Sequence, residues 1–194
     1  SEINNIPENC SHVPDTDEMS TLNYMQKKRL EMAENGNVDA YYEIGYNYCH
    51  GVAPYPVNLY YGYKYLKKAA EQGNPNALYG LAKLYMPYVG DSTMKSIYLR
   101  IIEIAIMHRS AEAAQLMAAH YVIGSLFPPN EVMAMLFFKY AADMKNIRCM
   151  DWYARKLRRI INGSITLDDL SRQIAESRDI VNCSHSFLTR TNEI

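Results

Sequence analysis

The sequence predicts an all-α protein: an α/α solenoid of stacked antiparallel helix pairs, with about nine helices. Three observations predict it. One residue pattern recurs every 36 or 37 positions, its offsets fall on one face of a helix, and Gly or Pro marks the breaks between segments. Around Ala77 the pattern reads Leu81, Ala82 and Tyr85 at +4, +5 and +8. Ala40, Ile44, Gly45 and Tyr48 hold the same offsets upstream, and Ala113, Met117, Ala118 and Tyr121 hold them downstream. Cys149, Tyr153, Ala154 and Leu157 are a degraded fourth copy. The second half of each unit repeats as well: Tyr65, Leu66 and Ala69, then Ile101, Ile102 and Ala105, then Phe137, Phe138 and Ala141. Offsets of four, five and eight share a helical face, and the small residue at +5 lets a neighbouring helix approach closely. A non-repetitive bundle rich in Ala and Tyr would not hold four offsets through three copies.

Each element follows from this frame. Helices are expected at about 17–35, 38–50, 57–72, 75–86, 92–108, 111–123, 130–145, 148–161 and 167–182. Gly73 reads as a helix stop in the left-handed conformation, and Pro75 suits the first turn of the next helix. The turn within each pair is marked by Pro54 and Pro56, by Pro87 and Gly90, and by Pro128 and Pro129. Thr166 with Asp169 resembles a capping box, and Ile165 with Leu170 a hydrophobic staple. Residues 16–183 are expected to form a single solenoid domain, because such units bury their apolar faces only by stacking. Residues 1–15 and 184–194 are expected to be loosely ordered.

Composition limits the function classes. The net charge of −1 gives no bulk field for nucleic acid or a membrane surface. No apolar run reaches the roughly 20 residues of a membrane helix, so no membrane insertion is expected. The chain holds 17 Tyr against 4 Phe and 1 Trp, and an apolar ring with a wet hydroxyl suits half-buried and interface positions.

The sequence contains no motif that commits it to chemistry. His12, His50, His108, His120 and His185 are scattered, and His120 beside Tyr121 reads as a core or helix-face histidine rather than a ligand. No phosphate loop, dinucleotide fingerprint or G-x-S-x-G occurs, so no cofactor, metal or catalytic residue is expected. Ser92 and Lys95 form S-x-x-K without its companion motifs, and Ser92 serves equally well as a helix N-cap. The basic run Arg155-Lys156-Leu157-Arg158-Arg159 suits a helix C-terminus, with a patch for an acidic partner as the second reading.

Cys10, Cys49, Cys149 and Cys183 form no C-x-x-C. Antiparallel partners would bring Cys149 near Cys183 and Cys10 near Cys49. Two disulfides, each worth roughly 2–4 kcal/mol, could clamp the terminal hairpins. The alternative is four unrelated thiols in a cytosolic protein. Disulfides would imply an oxidising compartment, such as a bacterial periplasm reached with a signal peptide since removed.

The run A-x-x-x-L-G-x-x-Y, a marked turn, and then K-A-A-E-Q-G resembles the Sel-one-like repeat family, which is related to tetratricopeptide repeats. The best copy is AYYEIGYNYCHG followed by YKYLKKAAEQG, within Ala40 to Gly73, and the resemblance covers about residues 38–161. The family's inner-turn G-x-G-V survives as His50-Gly51-Val52 and is lost in later copies. The resemblance implies a non-enzymatic, protein-binding solenoid. It further implies an immunity-type inhibitor, because similar proteins accompany phospholipase toxins of the bacterial type VI system. The alternatives are a general adaptor or regulatory scaffold and an enzyme acting on penicillin or cell wall. By analogy with tetratricopeptide geometry, the inward, partner-binding residues would be Asp39, Tyr42, Tyr46 and His50, then Asn76, Tyr79 and Lys83. Glu112 and Gln115 (with Ala119), then Arg148, Asp151 and Arg155, would continue the set. Tyr and Arg favour hot spots.

Overall fold

Side-chain caps start the helices. An Asn accepts from the backbone N–H three residues on at Asn37, Asn58, Asn74 and Asn130, and Ser110 does the same through its hydroxyl. The computed structural model describes residues 5–144, together with 155, 158, 159, 162 and 163. Among these there are eight α-helices and no strand: α1 Glu18–Thr21, α2 Tyr24–Glu34, α3 Val38–His50, α4 Leu59–Glu71, α5 Pro75–Tyr85, α6 Ser92–Met107, α7 Ala111–Ile123 and α8 Glu131–Asp143. The chain divides into two compact units, residues 1–105 and 106–194.

In the first unit, α3 packs antiparallel on α4, and α4 on α5. Gly45 makes the closest approach possible. A Cβ there would lie 2.7 Å from the Leu66 backbone nitrogen and 3.1 Å from the Gly62 carbonyl. The core is aromatic: Tyr48 stacks on Tyr65 at 6.2 Å and meets Tyr55 edge-on at 4.9 Å. Such pairs contribute about 0.5–1.5 kcal/mol each beyond their buried area. Ala77, Leu81, Ala82 and Tyr85 of α5 are fully or nearly fully buried, as the repeat offsets require. In the second unit, α7 packs on α8. Tyr121 stacks on Phe127 and Phe137 at 4.8 and 5.9 Å, and Ala113, Ala118, Met133, Ala134 and Ala141 are fully buried.

Gly73 takes φ +80°, and Pro75 opens α5 directly after the Asn74 cap, as the sequence implies. Two expectations change, the first of them at the start of the chain. The helix over 17–35 is two helices. Leu22 is extended and buried, and Asn23 restarts the chain in a capping box with Gln26 that satisfies backbone donors at the break. Within the N-terminal segment, a 3-10 turn at Glu8–Cys10 packs on α4 with Pro7 and Cys10 fully buried. The inner-turn motif is lost from the later copy, yet one glycine keeps its place: Gly51 and Gly124 both end their helices left-handed, at φ +63° and +74°. Asp91, not Ser92, caps α6, accepting from the Met94 N–H at 2.9 Å. The helix expected at 167–182 and the Thr166–Asp169 cap lie outside the described residues. Of the helix expected at 148–161, only Arg155, Arg158 and Arg159 are described as helical, all exposed.

Candidate functional site

The offset rule that selects one face of the first helix in each repeat selects the rim of a pocket in the first unit. The pocket holds about 260 Å³. Tyr42, Tyr46 and His50 come from α3, spaced by four so that their rings form a ladder. Tyr42 and Tyr46 are 5.9 Å apart, and Tyr46 and His50 stack at 4.1 Å. The His50 Nδ1 lies 2.9 Å from the Tyr46 carbonyl, which can only accept, so Nδ1 carries the proton and the ring is fixed in place. Asn76, Tyr79 and Lys83 come from α5, and the Lys83 ammonium lies 5.1 Å from the Tyr79 ring centre. Leu59 and Leu66 of α4, with Gly80 and Leu84 of α5, supply the apolar part of the lining. Cys49 completes it. The result is an apolar hollow edged by rings and one exposed cation, fit to take an apolar side chain with a polar flank.

Asp39 lies apart from these. Its carboxylate accepts from Asn74 Nδ2 at 2.9 Å, while Asn74 Oδ1 caps α5, so Asp39 positions a helix start. Glu112 and Gln115 sit on α7 in the second unit, exposed and half-buried respectively, and Arg155 is exposed. Arg148 and Asp151 lie outside the described residues, as does the expected Cys149–Cys183 pair. Cys10 and Cys49 are free thiols. His120 is buried at the end of α7, its Nδ1 2.6 Å from Ser125 Oγ, and burial pushes its pKa down from 6.5. Among the described residues no group of His, Cys, Asp and Glu could hold a metal ion, and no helix is long and apolar enough to cross a membrane.

Sequence reasoning missed a second polar centre. Glu18 is buried, accepting from the Tyr48 hydroxyl at 3.0 Å, the Tyr65 hydroxyl at 2.8 Å and Lys64 Nζ at 3.3 Å. Tyr61 adds a hydroxyl bond to the Thr16 carbonyl at 3.3 Å. Burial first, and Glu18 after it, push the pKa values of Tyr48 and Tyr65 upward. This centre is a clasp, holding α1 to α3 and α4.

The Sel1 repeat family matches residues 38–74 and 111–146. Those two stretches are thus similar to the Sel1 repeat. Among solved structures, it is similar to a Sel1 repeat protein from Oxalobacter formigenes, with 19% identity and a TM-score of 0.58, over 67% of this chain and 53% of that one. It is also similar to a protective antigen of uropathogenic Escherichia coli strains that displays an SLR fold, with 25% identity and a TM-score of 0.54, over 63% of this chain and 26% of that one. The chain thus spans about half the length of the first and about a quarter of the second. None of the curated proteins matches it.

Proposed function

We propose that the α3–α5 pocket is the surface by which this chain binds another protein, and that it acts as an immunity-type inhibitor. It would occlude a secreted bacterial toxin of the phospholipase class in an oxidising compartment such as the periplasm. One observation carries the binding site. Of the seven first-unit residues chosen by analogy with tetratricopeptide geometry, all but Asp39 line one hollow. Rings held by stacking lose little freedom when a partner orders them, so contact area there converts well into affinity. The inhibitory role rests on the family resemblance, and occlusion asks nothing of the residues beyond tight binding over the toxin's active-site mouth.

The test is capture of a candidate toxin by the full chain, followed by lipase assay of the mixture. Tyr42→Ala and Tyr79→Ala are each expected to weaken capture by about 2 kcal/mol, or roughly 30-fold, with circular dichroism unchanged. A partner held equally well by both variants would place the site elsewhere. A partner captured yet fully active would make the chain a scaffold rather than an inhibitor.

A further inference from the structure

We propose that the groove between α2, α3 and the loop after α3 takes an amphipathic helix of another protein. The helix would seat where the first helix of a repeat seats on its second, and would carry an acidic residue for Lys28. The sequence Ala33-Glu34-Asn35-Gly36-Asn37 echoes Ala70-Glu71-Gln72-Gly73-Asn74, 37 positions earlier. The structure repeats with it. Gly36 and Gly73 are both left-handed, and Asn37 and Asn74 both cap the helix that follows. So α2 stands to α3 as α4 stands to α5. In this register Gln26 and Ala33 are buried, as Tyr63 and Ala70 are.

Another face of α2 breaks the parallel. In α4, Gly62, Tyr65 and Leu66 hold α3. Tyr65 stacks on Tyr41 and Tyr48, and a Cβ on Gly45 would meet the backbone of Leu66 and Gly62. Their counterparts on α2 are Met25, Lys28 and Arg29, with Met32 in the place of buried Ala69. Met25 is 67% exposed and Met32 46%, and Lys28 is exposed. The register assigns residues 1–13 to the helix that would cover this face. The 3-10 turn Glu8–Cys10 within that stretch packs on α4 instead. The face is left as one wall of a groove of about 380 Å³, with Glu43 and Asn47 of α3 and residues 53–55 as the others. The groove continues the interface between first and second helices by one repeat, so it has the shape for a helix. Its methionines can adapt to the apolar side chains of a partner. The charges narrow the choice. Glu43 pairs with Arg29, at the register positions of Gly80 and Leu66, which lie against each other in the next repeat. Lys28 has no ion-pair partner among the described residues, so an acid on the incoming helix would complement it.

The groove shares no lining residue with the α3–α5 pocket, so its failure would leave the proposed function standing. The probe is a stapled helical peptide of about four turns, with Leu at i, i+3 and i+7 and Glu at i+4. It is titrated into the full chain carrying carbon-13 methionine methyls, and binding is read by NMR. The Met25 and Met32 resonances should shift to saturation, while that of Met133, buried in the second unit, stays in place. Lys28→Glu should weaken binding by roughly tenfold at low salt, and a peptide with Lys in place of its Glu should recover it. Met25→Glu changes an exposed side chain, so the fold should hold, and the Met32 methyl should report binding weakened by about tenfold or more. Shifts that never saturate would overturn the helix site, as would equal affinity in the Met25→Glu variant. A dimer seen by sedimentation and abolished by Met25→Glu would give the groove to a second copy of this chain and overturn the separate partner.

Discussion

Single atoms set the helix spacing in the first unit. The alternation of small and large residues makes Gly45 legible in the sequence as a point of close contact, and the structure gives the reason. An added Cβ would meet the backbone of Leu66 and Gly62, which cannot step aside as a side-chain tip can. Gly45→Ala is therefore expected to cost about 1–3 kcal/mol, read as a lower urea midpoint at unchanged slope. Equal or greater stability would show that α3 and α4 separate freely. His120 gives a pH-dependent counterpart. Burial depresses its folded-state pKa below 6.5, so the unfolded chain takes up the proton first as the pH falls. Its effect vanishes well above 6.5, and stability is lost as the pH drops from there through the depressed folded value. His120→Gln should flatten that part of a stability–pH curve, and an unchanged slope would remove His120 as its cause. The sequence marked His120 as a core or helix-face residue rather than a ligand, and the structure buries it. It could not mark Cys49 as a pocket residue, because a cysteine at a helix end carries no periodic signal.

At the scale of elements, α1 is the part least legible in the sequence. Four residues cannot hold a helix by backbone bonds alone, and the helical pattern over 17–35 runs through the break without a Gly or Pro to mark it. The one local signal was Asn23 with Gln26, a capping pair within a polar stretch. What fixes α1 is distant. Glu18 finds its tyrosines 30 and 47 positions away, a separation that no window of sequence displays. Replacing a buried carboxylate with an amide keeps its size but not its charge. In Glu18→Gln the nitrogen can no longer accept, so a hydroxyl or Lys64 loses its acceptor. The expected loss is about 1–3 kcal/mol of stability, with the fastest gain in amide exchange near residues 16–22. Tyr65→Phe leaves the carboxylate two of its three donors and should act in the same direction. If both variants unfold at the wild-type midpoint, the clasp contributes nothing to holding α1.

Across the whole molecule, the two stretches that match the Sel1 repeat share a local design that the intervening stretch lacks. In one, Gly51 ends α3 left-handed and the Asn58 N–H returns to the Tyr48 carbonyl at 2.9 Å. In the other, Gly124 ends α7 the same way and the Asn130 N–H returns to the Tyr121 carbonyl at 2.9 Å. Val57 stands where a Gly51 Cβ would point, at 2.6 Å, and Pro129 stands where a Gly124 Cβ would point, at 2.7 Å. Between them, α5 runs on into a 3-10 turn at Met86–Tyr88 with no left-handed glycine at that point. The sequence showed the helices of all three repeats because their packing offsets persist. It marked the second turn by Pro128 and Pro129 but hid the part its glycine plays, because Gly-Ser replaces Gly-Val and only the backbone angle is kept. The two turns therefore serve as matched probes of the two units. Alanine at either position faces a left-handed penalty of about 1–2 kcal/mol as well as a collision. Gly51→Ala should speed native-state amide exchange in α3 and α4 while leaving α7 and α8 near their wild-type rates, and Gly124→Ala should do the reverse. Exchange that rises equally in both units for either variant would mean they open as one cooperative body.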